Sequence, residues 1–109
     1  MISNAVFRQM ALTFPGTIEL PHFDRVSFRV NKKIFATLVE KDHLAMLKLP
    51  LIEQSVFCTF DNKIIYPVPG GWGRKGATYI DLKRIKKAML KDAMTVAYNN
   101  IPLKGRREK

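Results

Sequence analysis

Residues 66–76 have the most unusual composition in the sequence, with two prolines, four glycines, the only tryptophan and a basic pair. A glycine-rich connection lets a ligand approach the backbone closely, because no side chain intervenes. Trp72 offers an aromatic face for stacking, and Arg74 and Lys75 add positive charge. These properties suit a loop that binds nucleic acid. The same residues also fit a structural interpretation, in which the glycines form tight turns and Trp72 packs on the sheet.

This glycine-rich loop does not match the known phosphate-binding motifs. Gly71 and Gly76 have the spacing that opens a P-loop, but Ala77 and Thr78 follow where Lys and then Ser or Thr are required. No predicted helix begins at the loop, and the order of elements is not βαβ, so a dinucleotide-binding fold is not indicated. Nucleotide hydrolysis is therefore not predicted.

A second group of cations lies in the last predicted helix, over residues 82–99. At about 100° per residue, the apolar and basic side chains fall on opposite sides of this helix. The apolar side consists of Leu82, Ile85, Met89, Ala93 and Val96. The basic side consists of Lys83, Arg84, Lys87 and Lys91. Such a side could contact phosphates and release counterions, although the solvated face of a structural helix gives the same pattern.

The chain has 109 residues and a formal net charge of +10, which indicates an anionic partner. Residues 1–60 contain 7 Lys or Arg and 5 Asp or Glu, whereas residues 61–109 contain 12 and 4. Length and a 47% apolar composition predict one folded domain over residues 1–102, and we expect the basic tail at 103–109 to be disordered. No apolar run reaches the roughly 18 residues of a membrane span. No signal peptide is recognisable either, so we expect a cytoplasmic protein.

The residues that could carry out catalysis are scattered. Cys58 is the only cysteine and cannot form an internal disulfide, and together with His22 and His43 it shows no metal-ligand spacing. We expect Cys58 to pack as a small apolar residue and His22 to be structural. No serine lies in a nucleophile elbow. The sequence therefore predicts neither an enzyme nor a cofactor.

Turn residues and alternating apolar positions divide the chain into eight elements. Ser3 or Asn4 can cap the first helix, which Pro15-Gly16 ends, and residues 16–25 are expected to be a connection without regular structure. Strands are predicted at 26–30, 34–39, 43–49, 64–68 and 77–80, and further helices at 50–57 and 82–99. This order predicts a two-layer α+β sandwich, with a five-stranded antiparallel sheet covered on one face by helices.

Several stretches of the sequence, in their order and spacing, resemble the MmcQ/YjbR-like family. They are Pro15-Gly16, Pro21-His22-Phe23, Ser27-Phe28-Arg29-Val30, Lys33-Ile34-Phe35-Ala36-Thr37-Leu38 and Tyr66-Pro67-Val68-Pro69-Gly70-Gly71-Trp72-Gly73. The resemblance implies a fold like that of secretion chaperones, with the order of elements derived above. It also implies a small bacterial cytoplasmic protein that binds DNA through two wings, without a known reaction or cofactor. Many members have a Trp where this sequence has Ala77, so a role for that aromatic does not transfer.

Together these observations predict a nucleic-acid-binding domain, with DNA as the first candidate ligand, that catalyses no reaction. Its contact residues would be the basic side of the last helix, Trp72, and the basic residues of two hairpin tips, Lys32, Lys33, Arg74 and Lys75. Two alternatives stay open. The first is a protein-interaction or chaperone-like module that binds an acidic partner or a second copy of the chain. The second is a small-molecule enzyme or binder that uses a pocket under the Trp72 loop.

Overall fold

The computed structural model describes residues 1–101 as a six-stranded sheet with four α-helices. The tail predicted to be disordered, at 103–109, lies outside the described residues. The elements in chain order are α1 (Asn4–Leu12), β1 (Thr17–His22), β2 (Arg25–Val30), β3 (Lys33–Val39), a 3-10 turn (Glu40–Asp42), β4 (Leu44–Lys48), α2 (Leu51–Phe60), β5 (Ile65–Pro67), α3 (Gly71–Arg74), β6 (Ala77–Asp81) and α4 (Lys87–Asn99). The α+β class and the antiparallel sheet are confirmed.

The sheet has the strand order β1-β2-β3-β4-β6-β5, and every neighbouring pair is antiparallel. The prediction of five strands is wrong, because residues 17–22 form the edge strand β1 and pair along the whole of β2. The inner positions of β1 are all exposed, and Pro21 lies among them. Ile18 and Leu20 do alternate with polar residues, but Pro21 interrupts this short run, so the strand signal is weak. Pro21 is tolerated because β1 is an edge strand.

The two faces of the sheet differ in what covers them. One row of paired residues, Phe28, Ala36 and Leu47, belongs to the same core as Phe7 of α1 and Leu90 of α4. The helix α2 reaches this side too, since Gln54 donates a hydrogen bond to Thr78, the partner of Leu47. We call it the helix side. The adjacent row, Thr37, Met46 and Tyr79, lies on the opposite side, which we call the open face.

A β-bulge in β3 adds one large side chain to the helix side, outside the regular alternation of the strand. Phe28 pairs with Ala36 while Arg29 pairs with Ile34, so Phe35 has no partner in the ladder. The Phe35 ring is fully buried, with ring centroids 6.0 Å from Phe14 and 5.6 Å from Tyr98 of α4. The bulge therefore joins the sheet to the end of α1 and to α4.

The helix α4 begins at Lys87, so the prediction that it begins at residue 82 is wrong. Asp81 holds the preceding residues in a turn, because its Oδ1 accepts the Lys83 N–H at 2.9 Å and its Oδ2 lies 3.2 Å from Arg84 Nε. Leu82 bonds through its backbone to Ile2 and His43 instead of to a helix. The core side of α4 is consequently Leu90, Ala93, Met94 and Ala97.

Replacing Phe35 by Ala tests the bulge. We expect Phe35→Ala to lower the free energy of unfolding by about 3–5 kcal/mol, because it empties a fully buried ring position. Phe23→Ala is the matched control, since Phe23 is 95% exposed and its loss should change stability by less than about 0.5 kcal/mol. Urea denaturation followed by circular dichroism measures both. Equal effects of the two substitutions would contradict this description of the core.

Candidate nucleic-acid interface

The loops that carry most of the predicted contact residues lie at one end of the sheet, which we call the tip end. The β2–β3 turn is a tight one, with Asn31 and Lys32 at φ values of 52° and 73°. The strand β4 ends beside the start of β6, where Lys48 pairs with Ala77 and Leu49 N–H donates to Gly76 O at 2.9 Å. Because β3 runs antiparallel to β4, the β2–β3 turn and the loop between β5 and β6 lie at the same end.

The cations before α4 lie at the other end of the sheet. At that end Leu44 pairs with Asp81, and the Leu82 N–H donates to His43 O at 3.0 Å. From there α4 runs along the helix side back to the tip end, where Asn100 Nδ2 donates to Lys48 O at 3.3 Å. The first two turns of α4 carry the exposed Lys87 and Lys91.

The structure therefore divides the predicted contact residues into two groups. Lys32, Lys33, Trp72, Arg74 and Lys75 lie at the tip end. Lys83, Arg84, Lys87 and Lys91 lie at the opposite end or on the helix side. Only Lys87 and Lys91 of the second group are on a helix, so the continuous helical stripe predicted for these four cations does not form. Within residues 1–101, Arg84 is the one predicted contact residue that is held in an ion pair.

Trp72 lies in a short helical turn that the sequence did not predict. The turn α3 is held against α2 by Gln54, whose Nε2 donates to Gly73 O at 2.9 Å, to Ala77 O at 3.2 Å and to Thr78 Oγ1 at 3.1 Å. Gly73 packs so closely on Val68 that a β-carbon would overlap the Val68 carbonyl oxygen. The Trp72 side chain keeps 68% of its surface exposed, so it does not pack into the sheet. Gly73 and Gly76 of this loop therefore allow close packing, while the indole faces solvent.

Trp72 forms part of the wall of a cavity of about 440 Å³ on the open face. The side chains that matter chemically in its lining are Phe23, Arg25, Thr37, Lys48, Trp72 and Tyr79. Phe23 belongs to the β1–β2 turn, so this turn and the Trp72 loop enclose the cavity from different ends of the sheet. Arg25 Nη2 donates to Tyr79 Oη at 3.4 Å, which links the turn to the strand β6 across the open face.

The sequence left open a pocket under the Trp72 loop but did not assign its other walls, although the strands contain a signal for the open face. The alternate residues Arg25, Ser27 and Arg29 of β2 are polar or basic, and β4 ends with the exposed Lys48. Such alternation predicts a second, polar face. It does not predict that the face is concave, because the β1–β2 turn that encloses it follows a strand the sequence did not reveal.

One polar group in the cavity has no partner. Thr37 is 2% exposed, and its Oγ1 accepts and donates no hydrogen bond within the described residues. Its neighbour on the open face, Ser27, is satisfied, because its hydroxyl donates to Leu20 O at 2.9 Å and accepts from Arg29 Nε at 2.9 Å. An unpaired buried hydroxyl is costly, so its presence in a native fold requires a reason.

The acidic residues near the sheet are partly neutralised. Arg8 of α1 lies 3.1 Å from Glu19 and 2.8 Å from Glu40, measured between nitrogen and carboxylate oxygen. Burial alone lowers the pKa of the Arg8 guanidinium, but hydrogen bonds to both carboxylates outweigh it and raise the pKa above its usual value. These pairs are on the helix side, and they reduce the negative potential of the β1 edge.

The groups that could support catalysis do not come together. Cys58 is half-buried, and burial raises the pKa of its thiol, which reduces the fraction of reactive thiolate. His22 lines the cavity at the end of β1, whereas His43 follows the 3-10 turn before β4, three strands away in the sheet. Residues 1–101 contain no group of three His, Cys, Asp or Glu side chains that could hold a metal ion. No helix within the same range is long and apolar enough to cross a membrane.

Comparisons with known proteins place the fold. No family model matches the chain, and no curated protein matches it in sequence. Among solved structures it is similar to the Deinococcus radiodurans protein DR2400, whose crystal structure contains a domain described as DUF419. The TM-score is 0.84 over 99% of this chain and 84% of that chain, at 15% sequence identity. At this identity the similarity shows a shared α+β fold and nothing about the ligand.

A pair of glycine substitutions tests the packing of α3. We expect Gly73→Ala to lower the free energy of unfolding by about 1–3 kcal/mol, because the added methyl overlaps backbone that cannot move freely. Gly71→Ala in the same turn should change it by less than about 0.5 kcal/mol, since only the end of the flexible Arg74 side chain is near. Circular dichroism is the suitable probe because Trp72 is exposed in the native state. A tolerated Gly73→Ala would contradict the described loop.

Proposed function

We propose that this protein binds nucleic acid, without catalysing a reaction, through the basic loops of the tip end and the aromatic side chains of the open face. The observation that carries the proposal is the position of the two basic loops. Two basic pairs lie at the same end of the sheet, beside an open face that carries Trp72. They are Lys32 and Lys33 in the β2–β3 turn and Arg74 and Lys75 in the β5–β6 loop. Phosphates would meet the cations, and unstacked bases would meet the aromatic side chains.

Charge supports an anionic ligand at this surface. The chain carries a net charge of +10, and none of the four tip-end cations is in an ion pair within residues 1–101. The open face adds Arg25, Arg29 and Lys48. Asp24 is the acidic residue in the lining of the cavity, and its carboxylate lies 4.0 Å from Arg25 Nε. Cations that are not neutralised can exchange their counterions for phosphates.

We also propose that the chain is a divergent member of the MmcQ/YjbR-like family and acts in the cytoplasm. The support is the set of sequence stretches that resemble this family, together with a fold shared with a DUF419 domain protein. In this proposal the β2–β3 turn and the β5–β6 loop are the two wings. The helix α4 then has a structural role, because its outer face points away from the open face.

Two variants with equal charge loss test the proposal. One replaces Lys32, Lys33, Arg74 and Lys75 by Gln, and the other replaces Lys83, Arg84, Lys87 and Lys91 by Gln. We expect the tip-end variant to reduce the slope of log K against log salt by about 3, because each lost phosphate contact removes roughly one unit. The second variant should reduce the slope by less than about 1. Fluorescence anisotropy of labelled single strands and duplexes measures both.

The outcomes of this salt series separate the possibilities. Absence of binding by the wild-type protein at low salt would refute nucleic-acid binding altogether. Equal losses in the two variants would show attraction by net charge alone, and the tip end would not be a site. A larger loss in the second variant would move the interface to α4.

A second candidate function, self-association, is favoured by exposed apolar residues on α2. Ile52, Val56 and Phe60 are 77%, 59% and 72% exposed, and their spacing of four residues puts them on one side of the helix. Residues 51–60 contain no Lys or Arg, so two copies could meet there without the repulsion expected elsewhere on a cationic chain. In this case the chain would be a protein-interaction module whose partner is a second copy of itself.

Sedimentation velocity tests the second candidate. If α2 is the interface, the wild-type chain should sediment as a dimer, and Val56→Lys should sediment as a monomer because it introduces a charge into the apolar stripe. Lys63→Glu, just after the helix, is the control for a change of charge nearby. A monomeric wild type at the highest concentration reached would refute this candidate and leave the nucleic-acid proposal untouched.

A further inference from the structure

We propose that the cavity on the open face holds the base of one unpaired nucleotide, so that the protein selects single strands and nucleotides over paired duplex. Recognition of single strands rests on the proposed nucleic-acid binding, whereas recognition of a free nucleotide does not. The inference names the base as the part of the ligand that enters the cavity. Four observations support it: the size of the cavity, two exposed aromatic rings, one unpaired hydroxyl, and cations at the rim.

The size and lining of the cavity fit a planar ring. A volume of about 440 Å³ lies within the range of small-molecule sites. Phe23 is 95% exposed and Trp72 is 68% exposed, and both line this one cavity. Exposed aromatic side chains are the usual platforms on which proteins stack unpaired bases, because every base has a π face. The two rings come from different ends of the sheet, so a base could contact one ring on each side.

Thr37 supplies a hydrogen-bonding group inside the cavity. Thr37 belongs to the central strand β3, lines the cavity and is 2% exposed. Its hydroxyl has no hydrogen-bond partner within the described residues. A hydroxyl can donate one hydrogen bond and accept others. Rotation of the Thr37 side chain towards the cavity would let this hydroxyl pair with a carbonyl, amino or ring-nitrogen group at the edge of a base. Pairing in the complex would satisfy a polar group that is unsatisfied in the free protein.

The rim of the cavity carries the charge that a nucleotide requires. Arg25 and Lys48 line the cavity, and Arg25 is oriented across it by its hydrogen bond to Tyr79. A phosphate bound to the base through its sugar would lie near these cations. An apolar ligand would use neither the cations nor the hydroxyl. A paired duplex would keep its bases stacked and hydrogen-bonded, so it could not place one in the cavity without opening.

The only tryptophan of the chain reports on the cavity directly. We expect short oligodeoxythymidylate and oligodeoxyadenylate to quench Trp72 fluorescence saturably, because a base stacks on the indole ring. Free adenosine and thymidine monophosphates should quench it too, at higher concentration, since they lack the contacts of neighbouring phosphates. Inorganic phosphate and a stable blunt-ended duplex of two complementary strands should not. Equal quenching by the duplex would overturn the inference.

Three single substitutions identify the contacts. Phe23→Ala should weaken single-strand binding by about 5- to 100-fold through lost stacking. Thr37→Val should weaken it by about 3- to 10-fold through one lost hydrogen bond, while the midpoint of urea unfolding stays unchanged or rises. Leu12→Ala, which removes a partly exposed apolar side chain on α1, outside the cavity and outside the α2 stripe, should leave single-strand binding unchanged.

These measurements distinguish failure of the inference from failure of the proposed function. If Phe23→Ala and Thr37→Val bind single strands like the wild type, while loss of the tip-end cations still weakens binding, the cavity is not the base site and nucleic-acid binding stands. If the wild type binds mononucleotides but no strand, the cavity is a nucleotide site and the proposed function fails. If neither is bound, both fail.

Discussion

The structure depends on one constraint: a single antiparallel sheet whose buried side is filled by α1, α2 and α4. An antiparallel sheet needs only one packed face, and alternate residues of each strand are then free to face solvent. Phe28, Leu38 and Leu47 occupy the packed side with the helices. The alternate positions, which include Thr37 and Tyr79, form the open face. Every feature assigned to the interface follows from this division of the strands into two rows.

A second constraint fixes the Trp72 loop at the tip end, where we propose the interface. Gln54 is buried and bridges α2 to Gly73, Ala77 and Thr78, so the Trp72 loop is tied to the sheet and cannot swing freely. The loop therefore presents an exposed indole on a fixed base. A rigid aromatic platform loses little conformational entropy on binding, which favours stacking. Gln54, which anchors the loop, therefore also determines where Trp72 lies.

Much of the fold was predictable from sequence, and what was missed has physical causes. The five predicted strands lie within one residue of the observed ends, because apolar, β-branched and aromatic runs are bounded by clear turn residues. The strand β1 was missed because its short alternating run ends at Pro21, and it is held by backbone pairing with β2. The start of α4 was misplaced because Asp81 and the tertiary bonds of Leu82 overrule helix propensity. Both errors come from interactions that a local pattern does not contain.

The proposed site was predictable only in part. The basic residues of the two tips could be named from the sequence because Lys32 and Lys33, and likewise Arg74 and Lys75, are adjacent in the chain. A pocket under the Trp72 loop could be suggested, but its lining by Phe23, Thr37 and Tyr79 could not, since strand order and a turn that encloses the open face bring these residues together. Residues that are far apart in the sequence cannot be assigned to one site from the sequence alone. That the Thr37 hydroxyl has no partner also follows only from its surroundings in the structure.

The central claim is that the open face and the tip end, and not α4, form the binding surface. Mapping of backbone and indole NMR signals during titration with a short single strand tests it most directly. The account predicts the largest shifts at the Trp72 indole, the β2–β3 turn and the strand β6, with the outer residues of α4 unchanged. Shifts that concentrate on α4, or that spread evenly over the surface, would contradict it.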